Sequence, residues 1–214
     1  MNSDEKYIKD LIANGEHQQQ DFKFEISNAK KIAKTLVAFA NTDGGRLLIG
    51  VKDNGRISGI KTDEEYYMIE AAAKLYSRPE INFDHFKRNV EGKTILEVVI
   101  ESSPTKPHYA KDEENRWLAY HRVDDNNYLS DYIQLQVWKR ARREKGTFIS
   151  YTEKERRVLE ALHLSEKLEL EELKEILSMK KKTLQQILIN LVSLQAVQMV
   201  FSESKVFFRS NDER

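Results

Sequence analysis

Residues 36–60 read LVAFANTDGGRLLIGVKDNGRISGI, and this stretch constrains the fold more than any other. An apolar helical run (Leu36, Val37, Phe39, Ala40) breaks at Asn41-Thr42-Asp43-Gly44-Gly45. A buried-type strand follows through Leu47, Leu48, Ile49 and Val51. Gly44 suits the position just past a helix end, where positive φ is costly for a side chain. Asp53-Asn54-Gly55 then predicts a hairpin turn leading back into Ile57, Gly59 and Ile60. The glycines follow a helix and open a strand. A phosphate-cradling loop has the opposite order, strand then helix, and the chain contains no GKS or GKT.

The chain has 214 residues, 35 basic and 35 acidic, so any nucleic-acid contact must come from local patches rather than a global field. It has no cysteine, which excludes disulfides, thiolate chemistry and zinc–cysteine sites. Apolar runs fall well short of the roughly 20 residues of a membrane span. The expected location is the cytoplasm, with no membrane partner.

Taken in order, Tyr7, Ile8, Leu11 and Ile12 mark an amphipathic helix over 2–14, stopped by Gly15. Phe22 and Phe24 alternate with charges and predict a strand from about residue 20. Ser27 or Asn28 caps a helix over 29–42 with Lys30, Lys31 and Lys34 along one side. Thr62-Asp63-Glu64-Glu65 reads as a capping box opening a helix to about Tyr76. Strands are expected over 81–86 and 94–100, the second central and covered on both faces. A further strand pair is expected over 108–110 and 117–123, followed by a helix capped by Ser130. That helix carries a dense basic run: positions 138–145 hold five cations in eight residues, among them Lys139, Arg140, Arg142 and Arg143. Composition changes after Gly146, which predicts domains over 1–146 and 151–214.

The second segment reads as three helices, the last two joined by a tight turn at Ser178-Met179, then a hairpin about Ser202-Glu203-Ser204. This is the order of a winged helix-turn-helix. Its third helix opens with Lys180, Lys181, Lys182 and Thr183, then Gln185 and Gln186, residue types that bind phosphates and base edges. The segment is balanced, with 11 basic and 11 acidic residues, so a protein-docking or dimerisation role stays open beside DNA contact.

Other constellations say less. Glu16, Asp21 and Asp53 sit beside turns or strand ends, and with Lys23 they could hold a divalent metal against a phosphodiester. The alternative makes Glu16 and Asp21 solvated loop residues and Asp53 part of the hairpin turn. His17, His85, His108, His121 and His163 form no HxH or HExxH pair. His121 beside Arg122 reads as packing or surface, and Trp117 and Trp138 read as core.

The motifs GE-x4-DFK-F at 15–24, AFANTDGGRLLIGVKDNGRISGI at 38–60 and YHRVDDNNYLS at 120–130 resemble the Schlafen/AlbA-like domain, over about residues 5–145. The resemblance implies an α+β fold with a mixed sheet and a DNA-binding function. In bacteria and archaea such domains often precede a winged helix, in proteins described as transcriptional regulators. The same family includes metal-dependent ribonucleases acting on transfer RNA. By that resemblance Glu16, Asp21 and Asp53 would be Mg²⁺ or Mn²⁺ ligands, with Lys23 steadying a phosphate. Asp21 replaces the usual Glu, and Asp124 stands where Gly is common. The nuclease also needs a basic channel from a second lobe, which one copy would supply by dimerising.

The expectation is therefore a two-domain nucleic-acid-binding protein, with DNA preferred to RNA as partner and a homodimer supplying the second half-site. It is read as a transcriptional regulator without a cofactor. Lys180, Lys181, Lys182, Thr183, Gln186, Lys139, Arg140, Arg142 and Arg143 are the expected contacts. A Mg²⁺- or Mn²⁺-dependent endoribonuclease acting on structured RNA and a protein-interaction adaptor are the alternatives.

Overall fold

A computed structural model describes residues 3–142, 151–202 and 205–211. The chain forms two compact units, Met1–Ser130 and Asp131–Arg214.

The first unit runs α1 (Ser3–Ala13), β1 (Gln20–Lys23), α2 (Ala29–Asn41), β2 (Gly45–Ile49), α3 (Glu64–Lys74), β3 (Ser77–Arg78), β4 (Asp84–Val90), β5 (Lys93–Ile100), β6 (Tyr109–Lys111), β7 (Trp117–Leu118), β8 (Tyr120–Val123) and β9 (Asn126–Leu129). Its main sheet has the order β1-β2-β5-β4. β1 is parallel to β2, and the other pairings are antiparallel, so the sheet is mixed. β5 lies inside it, as its near-continuous apolar run predicts.

Strand alternation sends side chains to two cores. Leu47, Ile49, Leu96, Val98 and Ile100 pack with α2 and α3. Leu48 and Ile95 face the other way, with Ile8 of α1, Phe22 and Val90. Each fully buried Leu, Ile or Phe of these cores contributes roughly 1.5–3 kcal/mol.

The Gly44-Gly45 stop has two separate causes. Gly44 has φ +73°, and a Cβ there would lie 2.7 Å from the Ile100 carbonyl oxygen. At Gly45 a Cβ would lie 2.2 Å from the Phe39 ring. The helix therefore ends where its last aromatic lies against the next strand.

The expected hairpin at 51–57 is reduced to a single bridge, Val51 with Ile57, closed by a turn in which Gly55 N–H donates to the Lys52 carbonyl. The returning chain leaves for β5, where Ile60 N–H donates to the Thr94 carbonyl at 2.7 Å. The capping box at 62–65 does not form. Asp63 is the N-cap residue but makes no side-chain cap bond, because its carboxylate pairs with Lys87 at 2.6 Å. Trp117 is 38% exposed rather than core.

The second unit runs α4 (Tyr132–Ala141), α5 (Glu153–His163), β10 (Leu168–Glu169), α6 (Leu170–Leu177), α7 (Lys181–Ser193), β11 (Val197–Ser202) and β12 (Lys205–Ser210). α5 opens with a complete Thr152–Glu155 capping box. α6 ends at Ser178 in the left-handed region, φ 49°, giving the tight turn into α7. β10, β12 and β11 form a three-stranded antiparallel sheet. The core comprises Val158, Leu162, Leu173, Leu184, Leu188 and Phe208 among others.

The helix expected to close the first domain lies in the second compact unit. Ile133 of α4 enters that unit's core, and Val137 packs against it. Its cap is Asp131, whose carboxylate accepts from Gln134 N–H at 2.7 Å, rather than Ser130. The expected boundary at 145–150, Arg143 and the hairpin residues Glu203 and Ser204 lie outside the described residues. Among the described residues no helix is long and apolar enough to cross a membrane.

Candidate functional site

In the first unit the residues around β1 form a polar cluster. Gln20 anchors the preceding loop, its amide donating to the Leu11 and Gly15 carbonyls at 2.7 Å each. This holds Glu16 against β1, where one carboxylate oxygen accepts from Phe22 N–H at 2.8 Å. Burial raises the Glu16 carboxyl above its ordinary value, against the lowering effect of the Phe22 N–H; the adjacent Asp21 carboxyl adds to the rise. Asp21 is itself buried and pairs with Lys23 at 2.8 Å.

Arg122 completes the cluster. Its side chain is fully buried, and its guanidinium lies over the Phe39 ring, 4.8 Å from the centroid. Nε donates to the His17 carbonyl at 3.2 Å, one Nη to Asn127 Oδ1 at 3.2 Å and the other to the Gln20 carbonyl at 3.0 Å. The second Nη also lies 3.6 Å from Asp21. Arg122 thus ties β8 to the loop and strand bearing Glu16 and Asp21. The neighbouring Asp124 has φ +55°, a conformation that favours Gly, and its N–H donates to Gln18 Oε1 at 2.8 Å.

Glu16, Asp21 and Lys23 therefore come together. Asp53 is exposed in its turn. Among the described residues no group of three or more His, Asp or Glu side chains is placed to hold a metal ion. The cluster's charge is instead met by Lys23, Arg122 and a backbone N–H.

In the second unit, a cavity of about 560 Å³ opens at the start of α7. It is lined by Lys180, Lys182, Thr183, Gln185 and Gln186 of α7, with Tyr132 of α4 and Lys154 of α5. α7 begins without a side-chain cap bond. Lys180, Lys181 and Lys182 are exposed. Cations at a helix N-terminus oppose the helix dipole, which favours anions there. Lys181 is drawn to Glu171 at 2.7 Å, whereas no carboxylate of the described residues pairs with Lys180 or Lys182.

Farther along α7 the outer face is covered. Ile189 lies about 140–160° around the helix from Leu184 and Leu191, yet it is only 2% exposed. α4 covers it. Arg140 of α4 donates to Asn190 Oδ1 at 2.6 Å, and Gln186 donates to the same oxygen at 3.1 Å. Of the expected basic run, Arg140 is thus engaged within the unit, and Lys139 and Arg142 are exposed. The sequence carries a signal for this arrangement: Ile189 is an apolar residue on the face of α7 otherwise lined by Lys182, Gln186 and Ser193.

The family model described as Schlafen, AlbA_2 matches residues 16–131. No curated protein matches the chain. Among solved structures, a Corynebacterium diphtheriae protein aligns at 21% identity and TM-score 0.46, over 64% of this chain and 31% of its own length. The N-terminal domain of a protein from Nitrosomonas europaea, related to the ATP-dependent DNA helicase RecG, aligns at 22% identity and TM-score 0.42. That alignment covers 71% of this chain and 100% of the domain.

Proposed function

This chain belongs to the Schlafen, AlbA_2 family, and on that premise we propose that it is a nucleic-acid-binding protein whose second unit contacts DNA as a winged helix-turn-helix, in the role of a transcriptional regulator. The helices α5, α6 and α7 with the β10-β12-β11 sheet follow the order of that motif. The observation that carries the reading is the start of α7. Among the described residues no carboxylate pairs with Lys180 or Lys182, which stand beside an open cavity at a helix end without a side-chain cap bond.

The covering of α7 by α4 refines the mode of contact. A recognition helix reads bases chiefly with its N-terminal residues. Here the first turn and a half is open, and the stretch around Ile189 and Asn190 is occupied. Contact is therefore by the tip of α7, with Lys180, Lys182, Thr183 and Gln186 reaching DNA and Lys181 held partly by Glu171. A homodimer would place two such tips on two half-sites.

Selection of genomic duplex fragments by the full chain, followed by affinity measurement on the winners, tests the reading. Lys180→Ala/Lys182→Ala is expected to lower duplex affinity about tenfold or more at moderate salt. Unchanged affinity would remove α7 from the interface.

A further inference from the structure

A second feature, in the first unit, is independent of α7. Between α2 and β6 lies a cleft of about 140 Å³, lined by Lys30, Lys31 and Lys34 of α2, Lys111 of β6 and Tyr120 of β8. Each of three lysines sits over an aromatic ring. Lys34 Nζ is 5.0 Å from the Tyr120 centroid, Lys30 Nζ is 5.9 Å from Tyr76, and Lys111 Nζ is 5.9 Å from Trp117. Two acidic residues also line the cleft: Asp112 pairs with Arg116 at 2.7 Å, and Glu113 accepts from the neutral Asn28 amide at 2.9 Å. Among the described residues no carboxylate lies within ion-pairing distance of Lys31, Lys34 or Lys111, although the chain's charges balance and many other cations are paired.

From this geometry we infer that the α2–β6 cleft binds the phosphodiester backbone of single-stranded nucleic acid. Four lysines line a space that admits a single chain and is too narrow for a duplex. The rings hold the lysines in place, which lowers the entropy lost when they meet a phosphate. Lys30 and Lys34 stand one helical turn apart, a rise of roughly 6 Å, close to the spacing of phosphates along an extended strand. Trp117, with its indole partly in solvent beside Lys111, supplies a face on which an unstacked base can rest. A duplex keeps its bases stacked inside and cannot use that face.

The test is fluorescence anisotropy of the full chain with a short labelled oligothymidylate across a salt series. The comparison set is Lys34→Ala/Lys111→Ala, the charge-keeping Lys34→Arg/Lys111→Arg, and Lys180→Ala/Lys182→Ala. The expected result is about a tenfold loss of single-strand affinity for the first variant, with the log K against log salt slope shallower by about 1.4. The arginine variant should recover most of the affinity, and the α7 variant should bind the oligothymidylate as the parent does. Three results would overturn the inference: no oligothymidylate binding by the parent at low salt, unchanged binding by Lys34→Ala/Lys111→Ala, or a loss that follows the α7 lysines instead.

Discussion

The two units bury different things. The first sequesters Arg122, Asp21, Glu97, His108, His121 and Asn41 alongside its apolar core, whereas Glu155 is the buried ionisable residue of the second among the described residues. Glu97 accepts from Tyr7 and Arg46 at 2.7 Å each and from Arg88 at 2.9 Å. Asn41 donates to the His108 and Tyr120 carbonyls at 2.9 Å and accepts from His108 N–H at 2.7 Å. Short strands and long loops give the first unit many backbone groups without a ladder partner, and buried side chains satisfy them. The second unit pairs its backbone within its helices and the β10-β12-β11 ladder, and its core is mainly apolar. The cations at the start of α7 stay at the surface, where they add little to stability.

Breaking this contrast should have its largest effect at Arg122. Arg122→Ala leaves the His17 and Gln20 carbonyls, Asn127 and Asp21 without their shared donor, and is expected to destabilise the first unit by about 3–5 kcal/mol. Chemical denaturation with a probe in each unit would show the first unit's transition moving while the second's stays. A shift under about 1 kcal/mol would mean the guanidinium is not a structural tie.

His121 gives the next effect. Burial lowers its imidazole from the ordinary 6.5 to about 4. The unfolded chain then binds more protons than the folded one between those values. The stabilising contribution is full above about pH 6.5 and is lost as pH falls toward 4, on the order of 3 kcal/mol in all. His121→Asn should flatten the first unit's stability across that window, as followed by thermal melts against pH. An unaltered pH profile would contradict the assignment.

The smallest effect sharpens the other side of the comparison. Lys180→Ala/Lys182→Ala should change the second unit's stability by no more than about 0.5 kcal/mol, since both side chains are exposed. A larger loss would make these lysines structural.

The difference between the units also governs how much could be read in advance. α2, its glycine stop and β5 were legible because apolar periodicity and two crowded glycines write themselves locally. The helices α5, α6 and α7 were legible for the same reason. The two-residue β10 leaves no pattern to detect. The capping box at 62–65 misled because the Asp63 carboxylate has a better partner in Lys87, 24 residues away. Arg122 was unreadable as a buried tie because two of its acceptors are backbone carbonyls more than 100 residues distant. Of the expected carboxylate trio, the pairing of Glu16 with Asp21 follows from one loop and strand, but the place of Asp53 depends on a turn whose second arm departs for β5. The lysine tip of α7 was visible in sequence. Its covering by α4 was not, since the composition change after Gly146 places Ile133, Val137 and Arg140 with the other domain.

Whether DNA meets the tip of α7 is decided by the salt dependence of duplex binding. Binding of a selected duplex by the parent and by Lys180→Ala/Lys182→Ala would be followed over a range of salt concentrations. The slope of log K against log salt should become shallower by about 1.8 in the variant, as two phosphate contacts are lost. Parallel lines of equal slope would contradict the account.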